Sequence, residues 1–232
     1  MKRICSICAR GGSKGVKNKN IRDIYGQPLI AHTIQQAKDS GMFQAIAVSS
    51  DSSEILDISK KWGADYVINR PDELASDTSA KLPAIQHCIK SIEEITNTVF
   101  DIIVDLDATS PLRNKDDIIE SLSMLENSQS TNLISGSPAR RSPYFNLVEL
   151  NEDGYVRRSK DLETAIFRRQ DTPACYDMNA SIYIWKREGF FKHRKVLLEN
   201  TILYKMPEER SIDIDSELDF EIVKYLIEKS HK

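Results

Sequence analysis

The chain has 232 residues, 40% of them hydrophobic and 29% charged, with a formal net charge of −3. That suits one soluble domain with a sizeable core, and it excludes the basic field needed to wrap nucleic acid or sit on an anionic membrane. No apolar run approaches the roughly 20 residues of a membrane span, and Met1 to Cys5 enter a strand without a signal peptide's apolar region, so a cytoplasmic protein is expected.

Arg3 to Ala9 reads as the first strand. Leu29, Ile30, Thr33, Ile34 and Ala37 recur at helical spacing, and Gly41 suits the stop of that helix. Ala45 to Ser49 is a second strand. Ser52 can cap a helix carrying Ile55, Ile58 and Trp62, with Gly63 just past its end. Asp65 to Ile68 is a short third strand. Leu82, Ile85, Ile89 and Ile92 mark a longer helix, and Ile102 to Leu106 is a buried strand. A helix through Ile118, Ile119, Leu122 and Leu125 follows. Asn132 to Gly136 and Ser181 to Trp185 are further strands, and a last helix from about Glu217 turns Leu218, Ile222, Val223 and Leu226 inward. Strands alternating with helices predict a single α/β domain over residues 1–232, with a mostly parallel sheet covered on both faces. The stretch from Ser137 to Asn179, rich in Arg, Pro and Asp, breaks the rhythm and reads as an inserted β-arm suited to pairing with another subunit.

Cys5 and Cys8 form a C-x-x-C inside the first strand, where residues three apart point to opposite faces. No second such pair or nearby histidine completes a zinc site. Small buried thiols are therefore expected at Cys5, Cys8, Cys88 and Cys175. His32, His87, His193 and His231 show no ligand spacing, and no arrangement for a covalent nucleophile is present.

The first strand leads into Ala9-Arg10-Gly11-Gly12-Ser13-Lys14-Gly15, then Lys17, Lys19 and Asn20. In a parallel sheet this loop lies at a strand's C-terminal end, where ligands bind. The glycines let backbone N–H groups approach a polyanion, and Arg10, Lys14 and Lys19 supply counter-charge. The order is neither that of a Walker A loop nor G-x-G-x-x-G.

This loop resembles the nucleotide-binding loop of acylneuraminate cytidylyltransferases. Four further segments match that family in order: Arg70 to Thr78 (R-P-D-E-L-A-S-D-T), Thr109 to Arg113 (T-S-P-L-R), Arg169-Gln170, and Arg210 to Asp219 (R-S-I-D-I-D-S-E-L-D). The likeness spans about residues 3 to 226. It implies a Rossmann-like α/β sandwich acting on CTP and a nonulosonic (sialic-acid-like) acid, as a homodimer in which the arm reaches the neighbour's site. By the same resemblance Arg10, Gly11, Gly12, Ser13, Lys14 and Lys19 hold the CTP phosphates. Asn20, Arg70, Asp77, Thr78 and Ser79 read cytosine and ribose. Thr109, Ser110 and Asn179 flank the sugar. Arg169 serves the sugar carboxylate across the interface, or else is an exposed structural arginine.

Asp213 and Asp215 stand out on independent grounds, because an extended segment places carboxylates at i and i+2 on one face. Mg²⁺ takes one or two carboxylates plus substrate phosphates. A helix N-terminus, where acidic residues favour the macrodipole, accounts for one aspartate more easily than for both. Asp105 and Asp107 form a second such pair, open to a second or alternative metal. The implied reaction is attack of the sugar's anomeric hydroxyl on the α-phosphorus of CTP, with pyrophosphate leaving. Arg10, Lys14, Lys19 and a cation on Asp213 and Asp215 would neutralise charge.

Three departures from the family bear on the sugar. Asp107 replaces a glutamine, Asp177 and Met178 replace an arginine and a proline, and Lys81 stands where a small hydroxyl residue is usual. A carboxylate at Asp107 suits a substrate N–H and Met178 an apolar group, which favours an N,N′-diacetyllegionaminic-type acid. N-acetylneuraminate and Kdo are the alternatives within the family, a purine nucleotidyltransferase is less favoured, and a binding module that has lost catalysis is the alternative outside it.

Overall fold

The computed structural model describes residues 1–13, 15–76, 79–164 and 167–230. Lys14, Asp77, Thr78 and His231 lie outside the described residues. In chain order the elements are β1 (Arg3–Cys8), β2 (Asp23–Ile24), β3 (Gln27–Pro28), α1 (Leu29–Ser40), β4 (Ala45–Ser50), α2 (Ser53–Lys61), β5 (Tyr66–Asn69), α3 (Lys81–Thr96) and β6 (Ile102–Leu106). They continue with α4 (Lys115–Glu126), β7 (Asn132–Pro138), β8 (Val148–Leu150), β9 (Val156–Arg158), β10 (Tyr176–Lys186), α5 (Arg187–Lys192), β11 (Ile202–Lys205) and α6 (Glu217–Ser230).

Among the described residues seven strands form one sheet in the order β11-β7-β10-β6-β1-β4-β5. Every neighbouring pair is parallel except those made by β10, which runs antiparallel to both β6 and β7. The mostly parallel α/β sandwich expected from the alternation is thus present, with one reversed strand. Local signals act where the sequence places them. The Ser52 hydroxyl caps α2 by accepting from Ile55 N–H, and Gly41 ends α1 at φ 64°, a conformation a side chain would resist.

Two cores cover the sheet. Ile7, Val48 and Val104 pack with α1, α2 and α4 on one face; Ile4, Ala47 and Ile103 pack with α3 and α5 on the other. Cys5 belongs to the first and Cys8 borders the second, as strand alternation requires. All four thiols are free. Cys5 and Cys88 are fully buried, whereas Cys8 and Cys175 are only half-buried. A third cluster joins Val16 of the glycine loop, Ile214 and the α6 residues Phe220, Val223 and Ile227.

Three readings need correction. In α6 the inward face carries Phe220, Val223 and Ile227, while Leu218 and Ile222 face out at 69% and 39% exposure. Periodicity allows either stripe, and the third core selects the one that meets Val16 and Ile214. β11, unmarked in the sequence, pairs with β7 as an edge strand. Finally, β7 runs to Pro138 and β10 starts at Tyr176, so Asp177, Met178 and Asn179 belong to the central sheet. The excursion between them carries the β8–β9 hairpin.

Candidate active site

The strand ends of β1 and β6, the glycine loop and the extended segment before α6 enclose a cavity of about 290 Å³. Arg10, Ser13, Lys19, Asn20, Asp107, Thr109, Asp213 and Asp215 line it. A second cavity of about 300 Å³ is lined by Arg70, Ser76, Ser79 and Lys81. Cys8, Arg10 and Asp107 line both, so the two adjoin. This is the C-terminal edge of the parallel strands, where open α/β sheets bind ligands.

Ile214 is buried in the third core while Asp213 and Asp215 turn to the cavity on either side of it, the alternation expected of an extended segment. Ile214 N–H donates to Thr109 O at 3.0 Å. Lys19 donates to Ile214 O and lies 3.6 Å from Asp215 Oδ1. Gly15 explains how the loop comes so close: a Cβ there would collide with the Asp215 carbonyl oxygen. Its lack of a side chain serves this backbone contact rather than a ligand. Gly11 likewise serves packing and turn geometry, since its N–H donates to Asp51 Oδ1 at 2.9 Å and a Cβ would stand 3.1 Å from Ser52 Cβ. Of the three, only Gly12 faces open space, since a Cβ there would meet nothing within 4 Å. Asn20 is buried, donates to Arg10 O at 3.0 Å, and has no partner for Oδ1 among the described residues.

Arg70 is buried and held by Ser49, through Nη2 to the carbonyl oxygen at 2.7 Å and Nε to the hydroxyl at 3.3 Å. Ser79 donates to Glu73 O at 2.7 Å. Both line the second cavity.

Electrostatics set the carboxylates apart. Burial alone would raise Asp107, but the Lys81 ammonium and the Thr109 N–H and hydroxyl bring it down to about 2. Asp213 goes the other way: burial first, then Asp107 and Asp215, push it up to about 6, against the Thr109 hydroxyl and Lys19. The Thr109 hydroxyl lies against both Asp107 and Asp213. It has a single proton, so one of the two contacts lacks a donor unless Asp213 is protonated.

The expected sugar contacts divide. Asp107 and Thr109 line the first cavity. Ser110 and Asn179 do not: both are buried and hold the fold together. The Ser110 hydroxyl donates to Asn179 O at 3.3 Å, and the Asn179 amide joins Ser135 to Ser211. Arg113, in the same matching segment, is also buried, donating to Ser181 O and to Thr33. Burial lowers it to about 10. Arg169 donates to Ala139 O and lines a separate arm cavity of about 440 Å³ with Arg141, Ser142 and Thr172. Asp177 is exposed and accepts from Arg140 N–H at 3.2 Å, and Met178 is 46% exposed. None of these three lines the cleft of its own chain.

Lys81 is the cleft residue that sequence reading noted only as a departure. Its ammonium bridges Asp105 Oδ2 at 2.9 Å and Asp107 Oδ2 at 2.7 Å. Burial disfavours that charge, but the two carboxylates outweigh it and raise its pKa.

The sequence profile of the cytidylyltransferases matches residues 4–229. The chain belongs to the cytidylyltransferase family. It is 48% identical over 228 residues to post-translational flagellin modification protein B of Campylobacter coli, covering 98% of this chain and 96% of that one. It is 47% identical over 224 residues to CMP-N,N′-diacetyllegionaminic acid synthase of Campylobacter jejuni, covering 97% and 94%. A solved CMP:2-keto-3-deoxy-manno-octonic acid synthetase in complex with CTP shares the fold, with a TM-score of 0.71 at 16% identity over 99% of this chain and 100% of that one. Among the described residues no helix is long and apolar enough to cross a membrane.

Proposed function

We propose that this cytidylyltransferase moves CMP from CTP to the anomeric hydroxyl of a nonulosonic acid, releasing pyrophosphate, and that it prefers an N,N′-diacetyllegionaminic-type acid. The observation that carries the reaction is the junction at Arg10 and Asp107. A cavity with cations and paired carboxylates adjoins one with Arg70 and serine hydroxyls, which suits a triphosphate and its nucleoside. Arg10 and Lys19 neutralise the phosphates, and the cleft aligns the poorly nucleophilic hydroxyl with the α-phosphorus. Lys14, outside the described residues, is assigned the same role from the loop sequence.

Asp213 and Asp215 fit a divalent cation such as Mg²⁺. They are hard oxygen donors facing one cavity, and burial first, then the neighbouring carboxylates Asp107 and Asp215, raise the Asp213 carboxyl against the opposing Lys19 charge. No group of three or more metal-ligating side chains occurs among the described residues. The pair would therefore share its cation with phosphate and water, as Mg²⁺ sites do. Bound there, the cation supplies Lewis-acid stabilisation of phosphate charge.

The preference for the diacetamido acid rests on the likeness to the Campylobacter jejuni synthase. Asp107 supports it less than its sequence position suggested, since Lys81 and Thr109 already occupy most of its acceptor capacity. We further propose a cytoplasmic homodimer joined through the arm, where Leu150, Tyr155, Val156 and Phe167 lie exposed and Arg169 would reach the partner's cleft.

A CTP-dependent pyrophosphate assay across a panel of nonulosonic acids tests the reading. The N,N′-diacetyllegionaminic acid should exceed N-acetylneuraminate by about 10²-fold in kcat/KM, the modest discrimination an apolar contact gives against an added hydroxyl. Equal or better turnover of N-acetylneuraminate would reject the preference. Absence of pyrophosphate with every acid would reject the reaction.

A further inference from the structure

Two carboxylate pairs at i, i+2 border the cleft, Asp105 with Asp107 and Asp213 with Asp215, and in sequence they look equivalent. The fold treats them differently. Asp105 is fully buried near the end of β6; its Oδ1 accepts from the Ser6 hydroxyl at 2.7 Å, and its Oδ2 has no aligned hydrogen bond among the described residues. A buried carboxylate needs a nearby opposite charge to remain ionised. The Lys81 ammonium supplies it at 2.9 Å, reaches Asp107 Oδ2 at 2.7 Å, and turns its remaining side to the Tyr183 ring, 4.6 Å from the centroid. Two carboxylates and an aromatic face thus surround most of an ammonium that has three protons, and its charge is already offset before a phosphate arrives. At the other pair the corresponding lysine, Lys19, lies 3.6 Å from Asp215 and spends a proton on a carbonyl.

We infer that Lys81 is a positioning residue that acts as a resident cation, occupying the place a divalent ion would otherwise take between Asp105 and Asp107. The chain then draws an external cation only at Asp213 and Asp215, a statement that rests on the metal reading above. Lys81 also acts on that second pair at a distance. By holding Asp107 Oδ2 it leaves Oδ1 to receive the Thr109 N–H at 3.1 Å and hydroxyl at 2.9 Å, and Thr109 is the residue that touches Asp213.

The test counts Mn²⁺ bound per chain by electron paramagnetic resonance, with Mn²⁺ alone and no nucleotide. Lys81→Ala opens the Asp105–Asp107 pair to the cavity and should bind one more Mn²⁺ per chain than the wild type. Lys81→Arg should keep the wild-type count, and the double variant Lys81→Ala with Asp105→Asn should return to it. If Lys81→Ala does not fold without metal, thermal unfolding with and without Mn²⁺ replaces the count, and Mn²⁺ should raise its Tm more than that of the wild type. Equal counts in wild type and Lys81→Ala, or equal Mn²⁺ stabilisation where the count is impossible, would overturn the inference. Failure of the Asp213–Asp215 reading shows separately, in a second titration with CTP present, as Asp213→Asn retaining every Mn²⁺ the wild type binds there.

Discussion

In the cleft, Asp105 is wholly buried, Asn20 and Arg70 nearly so, and each polar group is oriented by another part of the same chain. In the excursion between β7 and β10, Leu150, Tyr155, Val156 and Phe167 are 69%, 72%, 67% and 85% exposed. The cleft draws its geometry from strands paired deep in the sheet and from a dedicated small core under Val16 and Ile214. The hairpin of the arm has no such support, and its β8 and β9 residues are exposed throughout. A nucleotide-handling site needs donors fixed before the ligand arrives, so it is built where packing is densest. An arm that exposes several large apolar side chains is instead a surface suited to a partner. The contrast teaches that one chain fixes the polar groups of its cleft by its own packing while leaving the arm's apolar side chains exposed.

The largest expected effect tests the cleft. Asp213→Asn should lower turnover by about 10³-fold, because a hard ligand facing the phosphates is lost. The same substitution should stabilise the metal-free protein. An acid raised from 3.8 to about 6 on folding binds more protons in the native state between those values, so its ionisation removes stability as pH rises through that window. At pH 8 the amide should therefore add about 2 kcal/mol, after allowance for partial exposure, seen as a higher Tm by calorimetry. Near-wild-type turnover, or a lower Tm in the metal-free variant at pH 8, would break the assignment of strain to function here.

A smaller effect tests the arm. If each site takes Lys14 from one subunit and Arg169 from the other, mixing Arg169→Ala with Lys14→Ala chains should give heterodimers with about half the wild-type rate, since one of two sites is intact. Both parents should be nearly inactive. A monomer by sedimentation, or a confirmed heterodimer without recovery, would make the arm's exposure irrelevant to catalysis.

The smallest effect sharpens the boundary between the regions. Gly15→Ala pushes a methyl group onto the Asp215 carbonyl and should cost about 2 kcal/mol by forcing the loop from the segment before α6, lowering Tm by roughly 4–8 °C. Gly154→Ala, in the arm turn at φ 82° with open space around it, should cost about 1 kcal/mol through backbone conformation alone. Equal Tm shifts for the two would mean that the close approach at Gly15 is not under load.

The elements themselves were legible because their signals are local. Short apolar runs marked β1, β4 and β6, the Ser52 cap and the Gly41 turn bounded helices, and the spacing of Asp213 and Asp215 put both on one face whatever the rest of the chain does. The five matching segments carried the resemblance to cytidylyltransferases, a likeness of local sequence that needs no tertiary contact. What the tertiary structure alone decided involves partners far apart in sequence. It reversed β10 between two parallel strands, rotated α6 to meet Val16, and withdrew Ser110 and Asn179 from the sugar into the fold's own hydrogen bonds. It also separated two carboxylate pairs of identical spacing by bringing Lys81 to one of them. Spacing along a chain sets which side chains share a face, but the charge that faces them is contributed by another element, and only packing brings the two together.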